Sequence, residues 1–245
     1  KSVVHTRVPW QRMSLLAFPG VAGYFMFTSY GISLTSGLHV SIIDAALPLV
    51  TILFSALFLK EEIRLNYWIG IILGAIGVVF ITIPSKSADQ EVSLIGDILI
   101  LLSTFLFAFY TVLLKRPKQE QYLSNKVFTT LTLIIGAVIL LPFAMAETFY
   151  YGFPKIETWK TGFSVIYLVI GATILAYWFW NRALETVSAS VSGLYLNALP
   201  LISIIASIVL LNESLTWRIG IGGSLVLFGV IWADKRKLID LFIYL

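Results

Sequence analysis

The chain contains no cysteine and only two histidines, His5 and His39, in 245 residues. The first absence excludes disulfide frameworks, thiolate metal sites and cysteine nucleophiles, and the second leaves a metal site to be built mainly from carboxylates. Charge is scarce too: Asp, Glu, Lys and Arg make up 12% of residues, against roughly 25% in an average soluble domain. HExxH, a GxSxG elbow, paired histidines, an acidic metal cluster and a phosphate loop are all missing, so neither an intramembrane enzyme nor ATP-driven chemistry has a motif to rest on. No metal and no cofactor is expected. What the chain has instead is apolar: 58% hydrophobic residues and a mean hydropathy of +0.91. A globular interior of this size cannot hide that much apolar surface, because much of any folded surface stays wet.

Windows of about 19 residues find apolar runs at 15–35, 38–59, 66–83, 94–114, 127–147, 161–181, 189–211 and 217–233. Each can cross about 30 Å of hydrocarbon as a helix. A β-barrel would alternate polar and apolar residues in shorter segments, and Ile98-Leu99-Ile100-Leu101-Leu102 does not alternate. An all-α polytopic membrane protein with eight transmembrane helices is the expectation. Eight crossings put both termini on one side, and 13 of the 17 lysines and arginines then fall on that side. The positive-inside rule makes it the cytoplasm, so the termini are expected to be cytoplasmic and the chain to lie in the cytoplasmic membrane. The pI near 9.2 is then a signature of topology rather than of nucleic-acid binding. Residues 1–14 are polar and basic and read as an internal loop, not a signal peptide.

An offset of 152 aligns residues 36–78 with 188–230 without a gap. The matches that are costly in apolar sequence are Pro48/Pro200, Glu61/Glu213, Gly70/Gly222 and Gly77/Gly229. Corresponding helices are five crossings apart, an odd number, so the copies are expected to be inverted, an architecture of secondary transporters. Residues 1–93 read as the remainder of a first repeat, with three transmembrane helices and its first two missing. Residues 94–245 read as a complete second repeat of five.

Asn181-Arg182-Ala183-Leu184, Leu196-Asn197-Ala198-Leu199-Pro200, Leu211-Asn212-Glu213, Gly222 and Gly229 resemble the second half of EamA-type transporters of the drug/metabolite transporter superfamily. Leu47-Pro48, Leu59-Lys60-Glu61, Gly70 and Gly77 resemble the first half. Gly96-Asp97 with Phe107-Ala108-Phe109-Tyr110 is similar to the start of that family's sixth helix, with Phe107 where a Trp is common. The resemblance implies a ten-helix bundle of two inverted five-helix repeats, and export of small metabolites, often amino acids, as a monomer or homodimer.

Ser41, Asp44, Pro48, Thr51 and Ser55 are spaced by 3, 4, 3 and 4 residues, so they share one helical face. Ser192, Gly193, Pro200, Ser203 and Ser207, with Asn197 at the edge, form the equivalent stripe. Two readings stand: the walls of a substrate cavity, or small residues that let membrane helices pack. Asp44 is the sharpest residue, because an aspartate at a membrane-helix centre costs roughly 2.5–3.5 kcal/mol on insertion scales. Such an acid faces water, a partner or a proton path. Proton coupling is one expectation, and an interfacial or paired acid is the alternative; Asp97 and Glu61 read mainly as end caps. Pro48 and Pro200 are expected mid-helix, as paired hinges or static kinks. Tyr24, Phe27, Tyr110, Tyr177, Trp178, Trp180 and Tyr195 can offer stacking surfaces, whereas Trp68, Trp159, Trp217 and Trp232 read as interfacial belts. The expected substrate-binding set is Tyr24, Phe27, Ser41, Asp44, Tyr110, Tyr177, Asn181, Tyr195 and Asn197, with Pro48 and Pro200 as hinges. A secondary transporter of a small neutral or zwitterionic metabolite follows. Transport of sugar phosphates or nucleotide sugars needs cavity cations, of which Arg182 is the one nearby, and a membrane assembly protein is the non-transport alternative.

Overall fold

A computed structural model describes residues 10–60, 65–82, 93–114, 125–153, 155–156, 158–186, 198–213 and 215–233. Among these, all regular structure is helical, as one expects where no water can satisfy a lipid-exposed backbone. α1 is Trp10–Ile32, α2 Gly37–Asp44, α3 Leu47–Leu59, α4 Leu65–Thr82, α5 Leu94–Leu114 and α6 Asn125–Tyr151. α7 comprises Trp159–Ile166, Tyr167–Leu175 and Ala176–Thr186, α8 is Ala198–Leu211 and α9 is Trp217–Ala233. Trp10–Ile32, Gly37–Leu59, Leu94–Leu114, Lys126–Tyr151 and Trp159–Arg182 are long and apolar enough to span a bilayer, and Leu65–Ile81, Ile202–Leu211 and Trp217–Trp232 are shorter apolar stretches. Several helices run past the apolar windows, because the 3.6-residue backbone pattern continues into polar turns that a hydropathy average discards. α1, for example, begins at Trp10 rather than at residue 15.

At Pro48 the span Gly37–Leu59 is interrupted: α2 stops at Asp44, Ala45 and Ala46 form a turn that keeps right-handed helical dihedrals, and α3 resumes with Pro48 in its first turn. A proline there lacks only an N–H that the helix would leave unpaired anyway. At the break the Ala45 amide still reaches Ser41 (3.1 Å), but the Ala46 amide bonds Ile43 (3.0 Å), a tightened i to i+3 turn. Pro200 lies in the first turn of the described part of α8.

The described residues fall into two compact units, one drawn from residues 1–22 and 117–192, the other from 23–116 and 193–245. In the first, Trp10–Ala22 packs on α6, and α6 on α7. Val21 sits against Gly136, where a Cβ would come within 2.4 Å of it. Residues Phe18–Ala22 form a π turn at Pro19, whose ring nitrogen cannot donate to the helical ladder. The buried Tyr177 hydroxyl of α7 donates to the Gly20 carbonyl in that turn. Tyr177→Phe removes this bond from a buried site, and we expect a loss of about 0.5–1.5 kcal/mol, read as a lowered unfolding midpoint of the full chain in detergent.

In the second unit, α2, α4, α5 and α9 share a core of Leu38, Ile42, Ile43, Val78, Ile81, Ile100, Ile219 and Val226. The tightest seam joins α4 to α9. A Cβ at Gly77 would lie 2.6 Å from the Gly222 carbonyl oxygen, and a Cβ at Gly229 would lie 2.7 Å from that of Gly70. As the number rises from 70 to 77 along α4, its partner falls from 229 to 222, so the two helices run antiparallel. Gly70/Gly222 and Gly77/Gly229 are also the residues related by the 152-residue offset. The two contacts therefore exchange under that offset, a local two-fold relation. In lipid no hydrophobic force drives helices together, so this backbone-to-backbone approach, open only to glycine, supplies the packing attraction.

Candidate functional site

α2 and α5 run in the same direction side by side, and polar pairs bridge them at two levels. At the inner level, the half-buried Asp44 ends α2, and its Oδ1 accepts a hydrogen bond from Thr104 Oγ1 of α5 at 2.7 Å. Thr104 Oγ1 also lies 2.9 Å from the Ile100 carbonyl. A hydroxyl has one proton for these two acceptors. With Asp44 ionised, Thr104 donates to the carboxylate; with Asp44 protonated, the acid donates to Thr104, which turns its own proton to Ile100. Both protonation states of Asp44 are satisfied with no heavy atom displaced.

Tyr24 of α1 is within electrostatic reach of Asp44 and packs on Phe107 at 5.0 Å between centroids. Phe107 in turn meets Tyr110 at 5.8 Å. Of the expected set, Tyr24 is thus within reach of Asp44 and is linked through Phe107 to Tyr110. Phe27 is half-buried on α1. Ser41 and Thr51 donate to the carbonyls of Gly37 (2.7 Å) and Leu47 (2.8 Å) in their own helices, the back-bond available to any helical serine or threonine.

At the outer level, Asp97 of α5 is buried, where the sequence reads it mainly as an end cap. Its Oδ1 accepts from Thr35 Oγ1 at 2.5 Å, and its Oδ2 lies 2.9 Å from His39 Nδ1 of α2. Glu213, just beyond α8, accepts from the amides of Gly37 and Leu38, each at 2.7 Å. That carboxylate caps the first turn of α2, where donors are otherwise unpaired. Glu213 follows Asn212, which has a left-handed φ of 54°, and its repeat equivalent Lys60 has 56°. Leu59-Lys60 and Leu211-Asn212 therefore share a helix-ending turn.

Thr35, His39, Thr104 and Glu213 were not singled out by the sequence as members of a site. The available signal was position: His39 and Asp97 both lie in the first turn of apolar runs that cross in the same sense.

Tyr177 and Asn181 belong to the other unit, both buried on one face of α7. Asn181 Nδ2 donates to Thr129 Oγ1 of α6 at 2.8 Å. The guanidinium of Arg182 lies 6.0 Å from the Trp178 ring centroid. Tyr195 and Asn197 lie outside the described residues, as do Glu61, Ser192 and Gly193.

The model of the EamA-like transporter family matches residues 2–83 and 94–233. An uncharacterized transporter of Archaeoglobus fulgidus is 30% identical over 96% of this chain and 82% of its own. The uncharacterized transporter YetK of Bacillus subtilis is 28% identical over 90% of this chain and 67% of its own. A protein of known crystal structure shares the fold with a TM-score of 0.64 at 19% identity, covering 95% of this chain and 79% of that one. This multi-pass helical membrane protein belongs to the EamA-like transporter family.

Proposed function

We propose that the chain is a secondary transporter that exports a small neutral or zwitterionic metabolite, such as an amino acid, across the cytoplasmic membrane by alternating access coupled to protons. The observation that carries this reading is Asp44. It lies at the end of α2 just before the Ala45–Ala46 turn, is held by Thr104 in a bond that serves either protonation state, and has Tyr24 within electrostatic reach. Broken helices that place polar groups within the membrane are a recurring way for transporters to build a site. Hydroxyls and aromatic faces around one acid suit an amphipathic solute better than a phosphate, which calls for cations. The exchanged glycine contacts of α4 and α9 support two copies of opposite orientation. With 13 of 17 basic residues on the side of the termini, the termini are cytoplasmic in this reading.

The test is flux in liposomes that contain the full chain, with a panel of labelled amino acids, with and without an imposed pH gradient. Saturable exchange that becomes uphill with the gradient is expected. Absence of flux for every solute in the panel overturns the amino acid assignment.

A further inference from the structure

α2 is an eight-residue helix whose first turn is bonded to neighbouring elements and whose end keeps one ladder bond, from the Ala45 amide to Ser41. Its last residue is Asp44, followed by the Ala45–Ala46 turn. Its first turn is gripped from two directions. From α5, Asp97 holds Thr35 (2.5 Å) and the His39 ring (2.9 Å). From the segment between α8 and α9, Glu213 holds the amides of Gly37 and Leu38 (2.7 Å each). Asp97 is 1% exposed and His39 8%. Near Gly37, Ser207 and Leu211 of α8 also approach closely: a Cβ there would stand 2.8 Å and 2.9 Å from them. Leu38, Ile42 and Ile43 anchor the apolar side of α2 in the shared core, and these contacts fix the placement of its first turn.

We propose that Glu213, Asp97, His39 and Thr35 form a clasp that positions α2 and closes the approach to Asp44 from the membrane face on which α2 and α5 begin. The four are positioning residues: they act on Asp44 through α2. Two carboxylates from different elements converge on one helical turn, and the bonds are charge-assisted if the acids are ionised, the strong kind. Releasing the clasp lets the first turn of α2 swing about the Ala45–Ala46 break and admits water to Asp44. The clasp rests on the transport reading for its purpose, but its geometry and its test do not.

The absence of cysteine makes the test direct. Ser41→Cys places a single thiol on α2 between the clasp and Asp44, and its reaction with a membrane-impermeant maleimide is timed in the full chain in liposomes. Adding Glu213→Gln is expected to raise the labelling rate about tenfold, the effect of losing a bond to a charged group that holds the closed state. Glu213→Asp, which keeps the carboxylate, is expected to stay closer to the parent. A second reporter, Thr132→Cys, buried in the other unit, is expected to stay unreactive with Glu213→Gln. If it reacts as well, the protein has opened globally, and Thr35→Ala, which removes one clasp bond, is read by the same criterion. A rate within about twofold of the parent, with the second reporter silent, overturns the proposal. Labelling needs no substrate and no gradient, so a failed clasp and a failed Asp44 coupling test are told apart.

Discussion

Asp44→Asn abolishes uphill flux driven by a pH gradient while the protein stays folded in the membrane: this is the largest functional effect expected here. Asparagine has nearly the shape of aspartate and can still take the Thr104 hydrogen bond now made to Asp44 Oδ1 at 2.7 Å. It cannot bind and release a proton. Stability is not expected to fall, because the substitution removes a carboxylate whose charged form costs roughly 2.5–3.5 kcal/mol within a membrane helix. The measurement is the ratio of accumulation with the gradient to accumulation without it, set beside exchange at equal pH on the two sides. The ratio falls to about one if Asp44 is the coupling group. A ratio equal to that of the parent, from folded protein, would sink the assignment. Thr104→Val gives a complementary reading: it keeps the acid but removes the partner that serves both protonation states, so coupling persists with a shifted pH dependence.

The largest structural effect is expected at the α4–α9 seam. Gly77→Ala adds one methyl group, but that methyl would stand 2.6 Å from the Gly222 carbonyl oxygen and 3.0 Å from the Val226 amide nitrogen, both backbone atoms. Backbone cannot rotate away as a side-chain tip can, so the helices must separate along the seam. We expect a cost of about 1–3 kcal/mol. Gly229→Ala meets Gly70 and Gly74 in the same way and is expected to behave alike, because the contacts are related by the repeat. Gly220→Ala is the control. Nothing lies within 4 Å of a Cβ there, and replacing glycine by alanine in a helix favours the helix by up to about 1 kcal/mol. The same substitution at two glycines of one helix pair is thus expected to have opposite signs. Unfolding midpoints of the full chain in detergent decide it, and a Gly77→Ala protein that melts with the parent refutes the tight seam.

Asp97 and Glu213 show where a one-dimensional reading stops. Asp97 reads from the sequence mainly as an end cap, and Glu213 only as part of a repeated motif. Glu213 does cap, but it caps α2, 176 residues earlier in the chain. Asp97 faces a histidine 58 residues away. A helical period tells which residues share a face, but not the angle at which that face is turned toward a neighbouring helix. Pairing between faces is therefore invisible until the helices are packed. Pro48 illustrates the same limit on a smaller scale. A proline in a long apolar run fits a kink or a restart equally well, and the choice depends on whether the freed backbone groups find partners.

By itself the sequence determined the class of molecule: scarce charge and long apolar runs admit only a helical membrane protein, because a lipid-exposed backbone must bond to itself. It also carried the matches at an offset of 152 and the family motifs, including the glycines of the seam, since those need no knowledge of packing. The tertiary structure decided the break after Asp44, the Thr104 bond that accommodates either protonation state, and the two carboxylates that hold α2. These depend on the rotation and depth of one helix against another, which are set by the summed fit of many side chains and written in no local stretch of the chain.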